Sequence, residues 1–299
     1  MILILILNAL FAITFNLGKE VVSVVPPIFF LGVRMVLAGL LLLGFVRFYK
    51  KDSLKIHKKD YGNFFIIIFF HIYASYIGEF VSLQYVPSSK VALLFNLSPF
   101  ITALLCYFIF GQKLSKKQFI GLCIGFLGFL PLILFTSSDI NAVDMTLAPI
   151  DLMLLTSITT ACIGWITMDT LTTNNRYSFF FVNSVGMIGG GLLCLLTSYA
   201  TETWPSLQFV CTNIIFLKNL FLLILIGNVI CYNLYGFLLK KYSATLLSFF
   251  GATIPLFSAL FGWLWYNEIV GWPFFLTFVC VTTGLYIFYK EELPKKFVI

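Results

Sequence analysis

The chain has 299 residues, of which 60% are hydrophobic, 18% aromatic and only 10% charged, and its formal net charge is +7. Soluble domains are charged at about 25% of their positions. This composition therefore excludes a soluble globular protein and predicts a polytopic membrane protein. The apolar runs are continuous and do not alternate in short segments of about 10 residues, which favours helices over barrel strands.

Ten apolar blocks predict ten transmembrane helices, because about 20 apolar residues cross a hydrocarbon core. They lie near residues 1–17, 28–48, 63–83, 89–110, 118–136, 151–170, 178–200, 215–238, 244–266 and 271–289. A polar stretch from Ser137 to Pro149 separates the first five from the second five. Since each half has an odd number of helices, the second half enters the membrane from the opposite side. The predicted fold is an all-α membrane protein with two inverted five-helix repeats.

The same boundaries predict four segments along the chain. Residues 1–137 form the first repeat, 138–150 an extracytoplasmic linker, 151–290 the second repeat and 291–299 a cytoplasmic tail. Residues 86–132 align without gaps on 242–288, an offset of 156 residues that pairs Pro99 with Pro255. Only five of these 47 pairs are identical, so the loop charges carry the argument for inversion. The first copy has three lysines in its loop 111–117, whereas the equivalent loop 267–273 has none.

The basic residues predict how the chain is oriented in the bilayer. With both termini in the cytoplasm, 15 of the 19 lysines and arginines fall in cytoplasmic loops. The loops placed outside carry Asp139, Asp144 and Glu202 instead. This is the positive-inside pattern, so the net charge of +7 indicates orientation and no nucleic-acid partner. A multi-pass protein of a bacterial cell (inner) membrane is expected.

Several short motifs resemble a known family. The chain reads Pro26-Pro27, Phe30-Leu31-Gly32-Val33-Arg34-Met35, Leu83 to Ser89 around Pro87, and Leu97-Ser98-Pro99-Phe100, with glycines from Gly121 to Gly128. It resembles the EamA-type domain of the drug/metabolite transporter superfamily, present twice. The resemblance implies inverted five-helix repeats around a central cavity for a small solute. The family's usual Glu at the end of the fourth helix is Gln112 here, while the second copy keeps Glu268.

Ionisable residues inside spans are candidates for function, because each costs about 2.5–3.5 kcal/mol to insert at a helix centre. In helix 3 the residues His71, Ser75, Glu79 and Ser82 recur at near four-residue spacing and form a polar stripe. Tyr73 and Tyr76 lie on an adjacent face and are further candidates. The hypothesis is that Glu79 binds a cationic group or a coupling proton. The alternative is a structural ion pair between Glu79 and Lys90.

Arg34 matches the recurrent arginine of the family, and its planar fork suits a carboxylate or phosphate. The alternative is an interhelical clamp to backbone carbonyls or to Glu20. In helix 8, Asn228, Tyr232 and Tyr235 share one face, which suits the lining of a cavity for a flat or amphipathic solute. Trp165 and Asn96 complete the predicted substrate-binding set.

Pro99 and Pro255 stand inside predicted helices, where a proline frees a backbone carbonyl and permits a kink. Neighbouring Asn96, Ser98 and Thr253 are expected either to bond that carbonyl or to bind solute. Their matching positions predict paired gating kinks, and purely architectural kinks are the alternative.

The chain has no catalytic or metal-binding motif, so no catalytic residue, metal or cofactor is expected. The predicted function is secondary active or facilitative transport of a small, amino-acid-like or other amphipathic metabolite by alternating access. A nucleoside-like solute such as S-adenosylmethionine is an alternative. An intramembrane lipid-modifying enzyme and a non-transporting scaffold are alternatives of other classes. The expected partners are the solute and the lipid bilayer. The oligomeric state is expected to be a monomer or a homodimer. Transport coupled to a proton and transport by exchange are both left open.

Overall fold

The structure is a computed structural model, and it describes residues 2–50, 55–111, 115–128, 149–172, 177–239, 250–251, 253–267 and 271–290. Gln112 and Glu268 lie outside the described residues, as do the tail 291–299 and nearly all of the linker. Within the described ranges every regular element is helical.

Long helices account for most of these residues. They are α1 (Ile2–Val22), α2 (Pro27–Phe45), α3 (Lys58–Tyr85), α4 (segments Ser88–Phe95 and Ser98–Phe110), α5 (Lys116–Leu127), α6 (Pro149–Thr172), α7 (Phe179–Thr201), α8 (Ile214–Leu238), α9 (Ile254–Tyr266) and α10 (Trp272–Tyr289). A short helix, Leu207–Thr212, precedes α8. In the described chain, α1 to α4 and α6 to α8 contain seven spans long and apolar enough to cross a membrane. The fold is thus an all-α multi-pass membrane protein, while the total of ten spans stays a prediction.

Two helices with proline as their second residue match each other, residue for residue, at the repeat offset. Segment Ser98–Phe110 and helix Ile254–Tyr266 are offset by 156 residues at both ends. Each has its proline within the first two positions, which suits a residue that has no N–H to donate. Each also ends at a left-handed residue, Gly111 with φ 65° in one case and Asn267 with φ 52° in the other. The two prolines therefore start new helical segments, and around Pro99 a turn at residues 96–97 breaks the helix where a kink was expected.

Side-chain hydrogen bonds meet at the Phe250 carbonyl in the turn before Pro255, where the Thr253 backbone N–H also donates to it at 2.9 Å. Thr253 Oγ1 donates to the Phe250 carbonyl at 2.8 Å, and Asn8 Nδ2 donates to the same oxygen at 2.6 Å. Asn8 Nδ2 also lies 3.0 Å from Thr253 Oγ1. Backbone groups in a membrane need internal hydrogen-bond partners, and these side-chain donors stabilise the turn that precedes the new helical segment.

Two π-helical stretches also lie at equivalent places. Ile67–Ala74 lies inside α3, and Leu223–Cys231 lies inside α8, so their first residues are 156 positions apart. Such stretches are rare and often mark functional sites.

The chain divides into two compact units, and each contains helices from both repeats. Unit 1 comprises residues 1–15, 86–155 and 237–299, and unit 2 comprises 16–85 and 156–236. The described helices of unit 1 are thus α4, α5, α9 and α10, with residues 2–15 of α1 and 149–155 of α6.

In unit 1, α5 and α10 pack closely through glycines. A Cβ placed on Gly121 would lie 2.6 Å from the Gly284 carbonyl oxygen, and one on Gly128 would lie 2.4 Å from Cys280 Cβ. Gly121 contacts Gly284, and the later residue Gly128 contacts the earlier residue Cys280. The two helices therefore run antiparallel. Small residues permit this close approach.

In unit 2, the contacts between α2 and α7 follow the repeat. A Cβ on Gly32 would lie 2.7 Å from Leu195 Cγ, and one on Gly39 would lie 2.7 Å from Ile188 Cγ1. These two contacts are equivalent in the repeat. Adding 156 to Gly32 gives Ile188, and subtracting 156 from Leu195 gives Gly39. A Cβ on Gly191 would lie 3.0 Å from Met35 Cβ, and these two residues are themselves 156 apart. The equivalent helices α2 and α7 therefore cross antiparallel about a local pseudo-twofold axis, which is the relation that inverted repeats require.

Candidate substrate-binding site

The centre of unit 2 contains a buried arginine. Arg34 on α2 is only 2% exposed, and its Nε donates to Asn228 Oδ1 at 2.8 Å. The guanidinium carbon also lies 5.7 Å from the ring centroid of Tyr76 and 5.4 Å from that of Phe80. A charged-group hydrogen bond and two aromatic faces together compensate for removing this cation from water.

Asn228, on α8, is fully buried and is oriented by its neighbours. Its amide nitrogen lies 3.4 Å from Met35 Sδ and 3.6 Å from Met187 Sδ, which are weak acceptors. The amide oxygen consequently faces the donor on Arg34. The contact joins α2 of the first repeat to α8 of the second.

A pair of tyrosines lies next to this contact. The hydroxyls of Tyr76 on α3 and Tyr232 on α8 share a hydrogen bond, and both residues are buried. The two residues are 156 positions apart and are therefore equivalent in the two repeats. Their contact lies on the local pseudo-twofold axis, as does the contact between Met35 and Gly191. Tyr232 directly follows the π-helical stretch of α8, and Tyr76 lies two positions after the last residue of that of α3.

Trp165 brings further aromatic rings to the same region. The indole of this α6 residue stacks on Tyr232 with centroids 5.5 Å apart and planes 25° apart. It also packs on Tyr235 at 5.4 Å and on Phe179 at 6.4 Å. Trp165 and Tyr235 remain partly exposed, so aromatic surface is left for another flat ring.

Glu79 supplies negative charge to the cluster. Its half-buried side chain lies close enough to the guanidinium of Arg34 to interact with it electrostatically. Opposite charges and aromatic faces are thereby collected within one group of helices. This arrangement suits a solute that has charged groups and a flat ring.

The structure brings together seven of the nine residues predicted to bind substrate. They are Arg34, Tyr76, Glu79, Trp165, Asn228, Tyr232 and Tyr235. Tyr73 has a different environment, because its hydroxyl bonds Thr197 on α7 at 2.8 Å. Asn96 belongs to unit 1, where it is buried and its amide nitrogen has no hydrogen-bond partner among the described residues.

Two ion pairs account for four further charged residues of the helices. Lys90, the expected alternative partner of Glu79, lies 2.8 Å from Asp151, and both side chains are almost fully buried. Asp151, in the first turn of α6, therefore forms a buried ion pair within unit 1. Glu20, the expected alternative partner of Arg34, accepts two hydrogen bonds from Lys218 at 2.7 and 2.9 Å.

The sequence pattern did not assign two members of the cluster. Phe80 lies one position after Glu79 and forms an aromatic face for Arg34. His71 was recognised as part of the polar stripe but was not assigned to the site, although it packs edge-on against Trp165 with centroids 4.7 Å apart. The near four-residue spacing that placed His71 on the face of Glu79 was the available signal.

Comparison with known proteins agrees with this architecture. The profile of the EamA-like transporter family matches residues 1–134 and again residues 148–290. A solved crystal structure superposes with a TM-score of 0.63 at 16% identity, over 100% of this chain and 97% of that one, which indicates a shared fold.

Two curated relatives match the chain from end to end. Both carry the name S-adenosylmethionine/S-adenosylhomocysteine transporter, and each is 30% identical over all of this chain. One comes from Chlamydia muridarum and is covered over 94% of its length. The other comes from Chlamydia trachomatis serovar L2 and is covered over 91%. Protein PecM of Dickeya dadantii is 24% identical over 78% of this chain and 74% of its own.

Repeated apolar helices, antiparallel equivalent helices and a buried polar cluster define a membrane transporter of small organic solutes. The predicted transport function is confirmed at this level. The chain belongs to the EamA-like transporter family.

Proposed function

We propose that this chain exchanges S-adenosylmethionine for S-adenosylhomocysteine across a bacterial cytoplasmic membrane by alternating access. The observation that carries the proposal is the end-to-end similarity to two transporters bearing that name. The family profile names no solute, so it leaves the amino-acid-like alternative equally open.

The chemistry of the site supports a solute of this kind. S-adenosylmethionine combines an adenine ring, a sulfonium cation and an amino-acid end. Trp165 and Tyr235 offer aromatic faces on which a base can stack. Glu79 offers a carboxylate, and aromatic faces also attract cations. Each part of the solute thus has a matching group in unit 2.

Arg34 is the group best suited to the solute's carboxylate. A guanidinium has five N–H donors, and Asn228 accepts the one on Nε. We expect the remaining fork to face the amino-acid end of the solute. An amino-acid-like solute without the base would use Arg34 and Glu79 alone, which is the second candidate function.

The experiment is counterflow in proteoliposomes. Vesicles containing the purified protein are loaded with unlabelled S-adenosylhomocysteine, and labelled S-adenosylmethionine is added outside. We expect saturable uptake that requires the internal substrate. Uptake that is blocked by excess methionine but not by S-adenosylhomocysteine would favour the amino-acid-like solute. Absence of saturable uptake of any of these compounds would contradict transport of this class.

A substitution at Trp165, with a matched control at Trp263, tests the stacking surface. Trp165→Leu removes the stacking surface, and base stacking on an aromatic residue is worth about 1–3 kcal/mol. We therefore expect the apparent affinity to fall by about 5- to 140-fold, as each 1.4 kcal/mol corresponds to a factor of ten. The control is Trp263→Leu on α9, since Trp263 is exposed in the described structure and is expected to leave the affinity unchanged.

The proposed orientation places both termini in the cytoplasm and the segment before α8 outside. Cys211, in the helix Leu207–Thr212, is exposed. A membrane-impermeant maleimide is expected to label Cys211 in intact cells, and Cys211→Ser to abolish that labelling. Labelling that appears only after cells are opened would reverse the proposed orientation.

A further inference from the structure

We propose that His71 is a substrate-binding residue that recognises the exocyclic amino group of a purine ring. This inference rests on the proposed function, since it assigns the part of the site that selects the adenine base. It adds a specificity-determining residue to the aromatic and charged groups described above.

His71 lies at the edge of the aromatic group. It belongs to the π-helical stretch of α3 and is only 2% exposed. Its ring centroid lies 4.7 Å from Trp165 with planes 71° apart, and 6.3 Å from Tyr232 with planes 64° apart. The imidazole therefore stands steeply against the indole. An imidazole nitrogen of His71 can therefore form a hydrogen bond with the edge of a flat ring that stacks on Trp165.

The ring nitrogens of His71 are buried polar atoms with little hydrogen bonding from the described residues around them. Neither ring nitrogen has a hydrogen-bond partner among the described residues. The Ala161 carbonyl faces the ring without reaching the geometry of a full hydrogen bond. Leaving a buried polar group without a partner costs about 1–3 kcal/mol. A fold retains such a group most readily where a ligand completes it.

The fold accommodates this histidine specifically. A Cβ placed on Gly164 of α6 would lie 2.2 Å from His71 Cβ and 2.4 Å from its Cγ and Nδ1. No residue larger than glycine therefore fits beside the imidazole without displacing it. Gly164 directly precedes Trp165, so one short stretch of α6 provides both the space for the imidazole and the stacking surface.

The residues equivalent to His71 and Trp165 in the other repeat do not form a similar pair. At the offset of 156 residues, His71 corresponds to Gly227 and Trp165 corresponds to Ala9, which have neither a ring nor a polar side chain. Architecture common to both repeats therefore does not require His71. A role in binding one asymmetric solute accounts for its presence.

The chemistry points to a donor on the solute. A neutral imidazole has one N–H and one acceptor nitrogen, and its neighbours determine which is which. The Ala161 carbonyl favours the N–H on the side that faces it. The other nitrogen is then an acceptor, and the amino group of adenine is the donor that it matches.

The test compares two competitors that differ in a single group. Adenosine and purine riboside are identical except that purine riboside lacks the exocyclic amino group. Each is titrated as an inhibitor of S-adenosylmethionine counterflow in proteoliposomes. We expect adenosine to inhibit about tenfold more strongly with the wild-type protein, because the analogue leaves His71 unpaired.

Variants assign that difference to His71. His71→Leu is expected to make the two inhibitors equal, while His71→Gln, which keeps an acceptor, retains part of the difference. His57→Leu, at the chain's other histidine, is the matched control and is expected to keep the full difference. Thermal unfolding in detergent identifies variants that fold.

Three results would overturn the inference. Equal inhibition by both compounds in a wild-type protein that transports S-adenosylmethionine removes the recognition of the amino group. An undiminished difference in folded His71→Leu removes the role of His71. Loss of all S-adenosylmethionine uptake in the wild-type protein contradicts the proposed function itself and, with it, this inference.

Discussion

Two contacts in unit 2 occupy equivalent places in the two repeats, and their chemistry is opposite. In one, Arg34 on α2 donates to Asn228 on α8 at 2.8 Å. In the other, Gly190 on α7 packs against Ile72 on α3, where a Cβ on the glycine would lie 2.6 Å from Ile72 Cγ2. Advancing Arg34 by 156 residues reaches Gly190, and moving Asn228 back by 156 reaches Ile72. The polar contact and the apolar contact are therefore counterparts.

The comparison shows how a duplicated frame supports an asymmetric site. Both contacts hold equivalent helices at a close crossing, so both serve the architecture. Only the first contributes charge and hydrogen bonds to the cluster that contains Glu79 and Trp165. An inverted repeat thus preserves helix packing, while single substitutions at matched positions decide which side recognises the solute.

The largest effect is expected at the apolar contact. In Gly190→Val the new side chain meets Ile72 and the Ile68 carbonyl oxygen, at 2.6 and 3.0 Å from the Cβ position. Overpacking of this kind costs about 3 kcal/mol. We expect a clear fall in the thermal unfolding midpoint in detergent. Gly44→Val is the control, because nothing lies within 4 Å of a Cβ there. Equal effects of the two variants would show that helix propensity, not the crossing, is responsible.

A smaller loss is expected at the polar contact. Arg34→Met removes the donor to Asn228 and leaves a buried amide oxygen unpaired, at a cost of about 2 kcal/mol. The double variant Arg34→Met, Asn228→Leu is expected to recover part of that stability, because neither partner is then left unsatisfied. Additive losses in the unfolding free energy would mean that the two side chains stabilise the fold independently.

The hydrogen bond between Tyr76 and Tyr232 on the pseudo-twofold axis is expected to contribute less to stability than the contact of Arg34 with Asn228. Tyr76→Phe and Tyr232→Phe each delete one hydroxyl of a shared hydrogen bond, and such a bond contributes about 1 kcal/mol. We expect the double variant to lose no more stability than either single variant. A double loss equal to the sum would show that the hydroxyls act separately. Tyr73→Phe, whose hydroxyl bonds Thr197, measures an ordinary tyrosine hydrogen bond for comparison.

The smallest effect is expected away from both contacts. The Lys218 side chain in its pair with Glu20 is 45% exposed. Exposed pairs contribute about 0–1 kcal/mol, so Lys218→Gln should change the unfolding midpoint little. The small change should shrink further at high salt, since screening weakens exposed pairs. A loss as large as that of Arg34→Met would mean that this pair is more important than its exposure indicates.

The sequence predicted the frame and much of the site. The 156-residue offset agrees with the ends of segment Ser98–Phe110 and helix Ile254–Tyr266. The shared face of Asn228, Tyr232 and Tyr235 predicted residues that do converge. Helical periodicity was sufficient here, because residues spaced by three or four on one helix share a face wherever the helix is placed.

Partner choice was harder to predict. Sequence proximity suggested Lys90 for Glu79 and Glu20 for Arg34, but the structure pairs Lys90 with Asp151 and Lys218 with Glu20. It also placed Tyr73 beside Thr197 and the imidazole of His71 beside Trp165. These contacts link helices that are distant along the chain, and the spacing within one helix contains no information about them.

The amino-acid sequence by itself determined the membrane class, the two repeats, their offset and the polar faces of single helices, because composition and periodicity act along one helix at a time. Only the tertiary structure decided that Tyr76 meets Tyr232 on a local axis, and that Arg34 meets Asn228 where the equivalent contact is apolar. The reason is physical. Which faces meet depends on where glycines allow helices from different repeats to approach, and that is a property of the packed helices together.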